Sequence, residues 1–285
     1  MKPNAILLLG VLVVANGVAF SQSSGRGQPQ VSPRVTPLGT QRPKPDPLNR
    51  SDRKSEPATK EKPAEIIERA FNAHGGRQAL TFVRDSVSDG RLTFFAGKSP
   101  KNTIDVTVIR KGDSRLQRVL KQASGELHQG SDGTSTWESF DGMTALAPAG
   151  LAGNYIESQT VRTLGNLFGS QEKGVPVRDA GAKNSARVLE LDAPAGGKPS
   201  HKTRYFVDEA TSRVTRIEFI TGEARDILGK TIPTTESYVL SDFRTVQGVP
   251  TPFRIERYVD GLKIEETQFT SVRYNTSVND EVFKP

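Results

Sequence analysis

The chemistry-bearing residues of this 285-residue chain are sparse and scattered. There are three histidines, His74, His128 and His201, and no cysteine. No histidine has a second histidine three or four residues away, as the helical zinc motif requires. The missing cysteines exclude disulfides, thiolate-bound zinc, iron–sulfur clusters, thiol catalysis and a lipid-modified N-terminal cysteine. There is no HExxH pair, no EF-hand loop, no phosphate-binding Walker loop and no Gly-x-Ser-x-Gly elbow. Carboxylates are plentiful, but adjacent ones such as Glu265 and Glu266 lie on opposite faces of a strand and cannot share a site. His74 precedes a glycine pair, where a helix C-terminal cap is the ordinary role. His128, in the run Glu126–Gln129, reads as a surface strand position. These residues predict a protein that is not an enzyme and has no cofactor and no metal.

The elements that carry them fall into three regions. Residues 1–21 read as an export signal. Lys2 precedes an apolar run, Ala5 to Phe20, and Ala19-Phe20-Ser21 is a small-x-small cleavage site. At about 16 residues the run is short of the roughly 20 that span a bilayer. Residues 22–62 hold seven prolines, no aromatic residue and few large apolar side chains. Such a segment cannot bury enough surface to offset the entropy of ordering it, and it predicts a disordered linker with polyproline character. It also carries nine basic and four acidic residues. The net charge of +7 therefore sits mostly in this tail, and residues 63–285 are nearly neutral, with 29 basic and 28 acidic side chains. That distribution argues against a nucleic-acid-binding domain. A tail of this charge suits an anionic membrane surface, and a solvated spacer is the alternative.

Residues 63–285 contain 18 of the 19 aromatic residues and predict one folded domain. Pro63 suits the first position of a helix. Ile66, Ile67, Ala70 and Phe71 form its apolar stripe, Gly75 or Gly76 ends it, and Ala79 to Val83 suggest one further turn. The period then changes from 3.6 to 2. Leu92 and Phe94, Ile104 to Val108, Tyr205 and Val207, Ile217 and Phe219, and Phe253 to Val259 alternate with polar residues, as half-buried antiparallel strands do. Asp-Gly pairs at 89–90, 132–133, 141–142 and 260–261 read as punctuation between strands, the last as a type I′ hairpin. One segment breaks the meander. Asn154 can cap a helix in which Ile156, Val161, Leu164, Leu167 and Phe168 share a side, preceded by the Gly/Ala/Pro-rich stretch 143–153. A helix inserted there must bury its stripe, and the concave face of a curved sheet is the place for it. The fold class is α+β, mainly β.

Four stretches resemble the LolA-like lipoprotein-carrier superfamily, in particular its outer-membrane lipoprotein-sorting members. They are the opening helix Ala64–Gly76 with Gln78–Leu80, the run Gly130–Trp137, the turn from Ser241 through Gly248–Pro252, and the ending Tyr274–Pro285. All four look like features that hold the fold rather than a binding signature. The resemblance implies an unclosed, strongly curved antiparallel half-barrel, with an N-terminal helix and an inserted helix or lid on its concave face. It implies lipid or lipoprotein acyl chains as ligands, a periplasmic location, and donor and acceptor proteins of the inner and outer membranes as partners. The carriers hold their lid through one arginine, for which Arg91 and Arg110 are the candidates here. The proline-rich basic tail is not part of the family pattern. On this reading the hydrophobic ligand-binding residues are Trp137, Met143, Leu146, Leu151, Tyr155, Leu164, Leu167 and Phe168. The alternative is an envelope protein-interaction or stress-sensing module on the same fold, without lipid transport.

Overall fold

The computed structural model describes residues 62–146, 167, 174–192, 202–225 and 231–285. They belong to one compact unit that begins at Pro57. The expected export signal, the linker up to residue 61, and the inserted segment with Leu151, Tyr155, Leu164 and Phe168 lie outside the described residues. Of that inserted segment Leu167 alone is described, helical and fully buried.

Helix α1, Pro63–Ala73, starts where expected, with proline in its first turn and the Glu65 carboxylate accepting the Lys62 N–H at 2.9 Å. Its stripe of Ile66, Ile67, Ala70 and Phe71 is buried. Gly75, at φ +100°, turns the chain into α2, Gly76–Phe82, where the side chain of Arg77 pairs with Glu68 of α1. No residue of α2 is buried.

The strands then run in two meanders. The first is β1 (Asp85–Ala96), β2 (Ser99–Lys111), β3 (Arg115–Gln122), β4 (Gly125–Ser131), β5 (Thr136–Phe140) and β6 (Met143–Leu146). The second is β7 (Val177–Lys183), β8 (Ala186–Asp192), β9 (Lys202–Asp208), β10 (Val214–Arg225), β11 (Thr231–Val246), β12 (Val249–Val259) and β13 (Leu262–Tyr274). The chain ends in a 3-10 turn, Asp280–Phe283. Strands β1 and β13 pair antiparallel and join the meanders into one sheet of order β6-β5-β4-β3-β2-β1-β13-β12-β11-β10-β9-β8-β7. Among the described residues β6 and β7 are unpaired edges, so the half-barrel is not closed.

The Asp-Gly pairs divide. Asp260-Gly261 and Asp141-Gly142 take positive φ at both residues and close two-residue hairpins, as type I′ turns require. Asp132 builds its turn with its side chain, accepting the N–H groups of Thr134 and Ser135 at 2.7 Å each. Asp89-Gly90 departs from expectation. It lies inside β1, where the pairing with β13 shifts by one residue. A side chain at Gly90 would come within 2.3 Å of the Gln268 carbonyl oxygen, so the glycine serves a bulge and not a turn.

Strand registers sort the side chains onto two faces. On one, Leu189, Tyr205, Ile217, Tyr238 and Leu240 pack with the α1 stripe and Leu167. On the same face Leu92, Ile104, Val106, Leu116, Leu120, Leu127, Phe253 and Phe269 form a second cluster, and Ile255 touches both. The opposite face carries a cross-strand charge ladder. Glu190 accepts from Arg178 at 3.2 Å and from Arg204 at 2.9 Å, Arg204 reaches Glu218 at 3.2 Å, and Arg216 pairs with Glu218 at 2.9 Å. Further along, Arg254 sits 3.0 Å from both Glu256 and Glu266.

Candidate ligand-binding cavity

Between the two clusters the concave face holds a cavity of about 170 Å³. Its walls come from β1, β2, β3, β11, β12 and β13. Most of the lining comes from inward positions, as the pairs Ser86–Arg110, Ser88–Val108, Val108–Arg118, Tyr238–Arg257 and Arg257–Glu265 require, with Pro252 beside Thr251 as the exception. Val108, Ile255, Phe269 and Val272 supply apolar wall. Hydroxyl groups of Ser86, Ser88, Thr251, Thr267 and Tyr274 supply hydrogen-bonding capacity. Tyr274 and Thr251 are themselves bonded, 2.6 Å apart.

Three arginines line the same space, Arg110, Arg118 and Arg257. Arg257 lies 3.2 Å from Glu236 and 3.8 Å from Glu265, and the Tyr238 hydroxyl donates to Glu236 at 3.2 Å. Arg110 and Arg118 occupy diagonal positions across β2 and β3 on one face, because Val108 pairs with Arg118 and Arg110 with Leu116. Arg118 is 6% exposed. Burial, reinforced by the charge of Arg118 and opposed by Tyr238, pushes the Arg110 guanidinium down to about 10, so it remains protonated at neutral pH. Of the two candidate arginines, Arg110 faces the cavity. Arg91 pairs with Asp105 and Gln268 on the other face and is exposed.

Glu265 and Glu266 behave as adjacent strand residues must. Glu265 faces the cavity, and Glu266 bonds Arg254 and Lys263 on the charged face. His128 is a strand residue of intermediate exposure, 3.4 Å from Glu126. Among the described residues no group of histidines and carboxylates could hold a metal ion, and no helix is long and apolar enough to cross a membrane.

The described members of the predicted ligand set are dispersed. Trp137 is buried, but it pairs with Gly130 and through Gln117 and Ile109 shares the face away from the cavity. There its Nε1–H donates to the Phe283 carbonyl at 2.8 Å. Met143 and Leu146 are exposed, at 75% and 66%, on the edge strand β6. Leu167 is buried against α1 and β8–β11 in the first cluster.

Arg118 and Arg257 escaped the sequence reading, and Arg110 entered it only as a candidate lid arginine, although a signal for all three exists. Ile104, Val106 and Val108 are followed in phase by Arg110. Leu116 and Leu120 flank Arg118, and Phe253 and Ile255 precede Arg257. In three strands an arginine occupies a position that the period-2 pattern reserves for an apolar side chain.

His74 marks a second polar cluster, at the end of α1. It is 1% exposed, and its Nε2 accepts the Val214 N–H at 3.0 Å. Burial and the charge of Arg213 outweigh the Pro250 carbonyl and push its pKa down to about 4. Its ring meets that of Phe243 edge to face, at 5.8 Å.

No protein-family model and no curated protein sequence matches the chain. Solved structures do match. A LolA superfamily protein of Nitrosomonas europaea aligns over 78% of this chain and 97% of its own, at 14% identity and a TM-score of 0.52. A DUF1329 family protein of Desulfovibrio piger aligns over 78% of this chain and 96% of its own, at 12% identity and a TM-score of 0.51. At these identities the likeness is one of fold, and the fold of this chain is LolA-like, an unclosed antiparallel half-barrel with α1 on its concave face.

Proposed function

We propose that the chain is an exported binding protein that shelters an acyl chain of a lipid or lipoprotein on its concave face and carries it across the periplasm. The supporting observation is the cavity, walled by Val108, Ile255, Phe269 and Val272 on an unclosed sheet. Such a sheet can part at its edges without breaking a closed ring of hydrogen bonds.

The energetics favour a carrier. Each buried methylene is worth about 0.8 kcal/mol, so a 16-carbon chain costs about 12 kcal/mol to expose to water. It cannot cross an aqueous compartment unaided at a useful rate. The cavity, at about 170 Å³, is smaller than the roughly 300–1,000 Å³ of ordinary ligand sites. Loading a full chain therefore requires apolar surface to separate first. Helix α1 covers the first cluster, on the same face as the cavity, and buries Ile66, Ile67 and Phe71 there, at about 2 kcal/mol each. An acyl chain offers more apolar area than that stripe, so loading exchanges one buried surface for another.

Organic extraction of the protein purified from the envelope, with mass spectrometry of the extract, tests the binding step. A fluorescent fatty acid titrated into delipidated protein gives the stoichiometry, expected to be one. A clean extract together with no probe uptake refutes the proposal. Transfer of the probe from donor to acceptor vesicles, accelerated by the protein, tests the carrier step.

A further inference from the structure

Two side chains tie helix α1 to the start of β10. Arg69 donates to the Ser212 hydroxyl at 2.9 Å, and His74 Nε2 accepts the Val214 N–H at 3.0 Å. The α1 stripe packs on the first cluster. The helix makes its backbone hydrogen bonds within itself, so its departure from the concave face would break no strand pairing. Helix α2 is coupled to it, because Arg77 pairs with Glu68 and lies 4.7 Å over the Phe71 ring. No residue of α2 is buried, and Val83 and Arg84 connect the two helices to β1. The helices can therefore move as one arm.

His74 stands within that arm, at the point where it meets the sheet. Its ring is buried and must be neutral for Nε2 to accept. Protonation turns the acceptor into a donor that faces the Val214 N–H. Nδ1 is buried too and makes no hydrogen bond among the described residues, although the Pro250 carbonyl favours the charged ring. The charged groups on the elements packed there are Glu68 and Arg69 on α1, Arg77 on α2, Asp208 and Arg213 at the β9–β10 turn, and Asp242 and Arg244 on β11. The β12 residues there, Pro250 and Thr251, carry no charge. The charge that acts on the ring is that of Arg213, and it opposes protonation. Hydrogen bonds from Arg77, Thr211 and Arg244 hold the Glu68, Asp208 and Asp242 carboxyls below their usual range, so these stay ionised at pH 5.5.

We propose that His74 is an acid-sensitive latch: protonation of its ring undocks the α1–α2 arm and opens the concave surface beneath it. The surface opened is that of Leu189, Tyr205, Ile217 and Leu240. The latch itself needs no ligand, and its part in loading rests on the acyl-binding reading above. The size of the effect follows from linkage. A ring that titrates at 6.5 when undocked and at about 4 when docked shifts the docking equilibrium about tenfold between pH 7.5 and pH 5.5.

The first test is amide hydrogen exchange of the full mature protein without ligand, expressed as protection factors, which remove the intrinsic pH dependence of exchange. An undocked helix of this length is marginal in water, so undocking exposes its amides. In the wild type, protection of the α1 amides and of Val214 is expected to fall about tenfold from pH 7.5 to pH 5.5. Protection in β12 and β13 should stay within about twofold. In His74→Gln the α1 factors should be the same at both pH values. Arg69→Ala loosens the arm without touching the ring, so protection should fall at both pH values with the tenfold ratio kept. Unchanged α1 protection in the wild type overturns the proposal. So does a parallel fall in α1 and β13, which would mark global unfolding, or a tenfold fall that persists in His74→Gln. The second test is the uptake rate of a fluorescent fatty-acid ester, a probe with no titrating group, expected to be about tenfold faster at pH 5.5. If exchange responds as expected and the ester is not taken up at either pH, the acyl-binding reading fails and the latch stands. If the ester is taken up equally at both pH values while α1 exchange is flat, the latch fails and the acyl-binding reading stands. Equal uptake despite altered exchange overturns the latch's part in loading.

Discussion

Acidification should weaken the fold through His74. The side chain lies at a three-way junction, where the end of α1, the start of β10 at Val214 and the β11–β12 turn at Pro250 meet. Its Nε2 is an acceptor, so the native state holds the neutral imidazole with the proton on Nδ1. Protonation would set an N–H against the Val214 N–H inside a site that is 1% exposed. Burial therefore depresses the pKa from 6.5 to about 4. A shift of that size is worth about 3 kcal/mol. The sign follows from proton counting. Above pH 7 the ring is neutral folded and unfolded, and the full stability is present. As pH falls from 6.5 towards 4 the unfolded chain takes up a proton that the native state refuses, and stability drops. The assay is denaturant unfolding at pH 4 to 8, followed by the fluorescence of Trp137, the single tryptophan, whose ring is buried. Carboxylates titrate in the lower part of this range, so the decisive quantity is the difference between wild type and His74→Gln. Glutamine can still accept the Val214 N–H but cannot titrate. The wild type should lose about 3 kcal/mol more than the variant between pH 7 and pH 4, and no more than the variant between pH 7 and pH 8. Parallel curves for the two proteins would refute the reasoning.

Other substitutions probe the elements around the site. Gly130→Val should destabilise by about 1–3 kcal/mol, because a β-carbon there falls 2.3 Å from the Trp137 ring, and thermal unfolding by circular dichroism reads it. Trp137→Phe leaves the buried Phe283 carbonyl without its donor and should cost about 1–3 kcal/mol, with the C-terminal amides losing hydrogen-exchange protection first. Ile67→Ala removes a side chain that is 1% exposed from the α1 stripe and should cost about 2–5 kcal/mol in denaturant unfolding. Glu190→Gln breaks the centre of the charge ladder, where hydrogen bonds from Arg204 and Lys202 outweigh burial and hold the carboxyl below its usual range. The loss should be about 1 kcal/mol and smaller in molar salt.

Local signals made the skeleton legible. The α1 stripe, its proline start and glycine stop, and the period-2 runs in β1, β2, β9, β10 and β12 all follow from spacing alone. The Asp89-Gly90 misreading shows the limit of that method. A glycine demanded by the approach of a neighbouring strand, here Gln268 from 178 residues later in the chain, carries the same local mark as one demanded by a turn. Trp137 shows a related limit. A large aromatic residue in a strand says that it will be buried but not on which face, and its partner is the Phe283 carbonyl at the far end of the chain. The cavity was legible in principle, through arginines in the apolar phase of three strands. An apolar-seeking search passes over them, because it treats a charge in that phase as an interruption of the strand and not as its most informative residue.

The four stretches that carry the resemblance meet in pairs, and this explains why they hold a fold without naming a ligand. The end of the first, His74 and Gly75, packs on the third. A side chain at Gly75 would lie 2.9 Å from the Gly248 carbonyl, and the Pro250 carbonyl acts on the His74 ring. The second reaches the fourth through Trp137 and Phe283, and the same C-terminal segment is pinned by Asp280, 2.6 Å from Lys111 and 2.7 Å from Arg115. One clamp holds α1 on the concave face, and the other fastens the chain end to the opposite face beneath β3 to β5. Neither touches the cavity wall except at Thr251, Pro252 and Tyr274. Residues that close the sheet's two faces are constrained by contacts from distant parts of the chain, whereas those lining the cavity need only be inward and of suitable chemistry. A motif can therefore identify this architecture while the cavity is lined mostly by side chains outside it, Arg110, Arg118 and Arg257 among them.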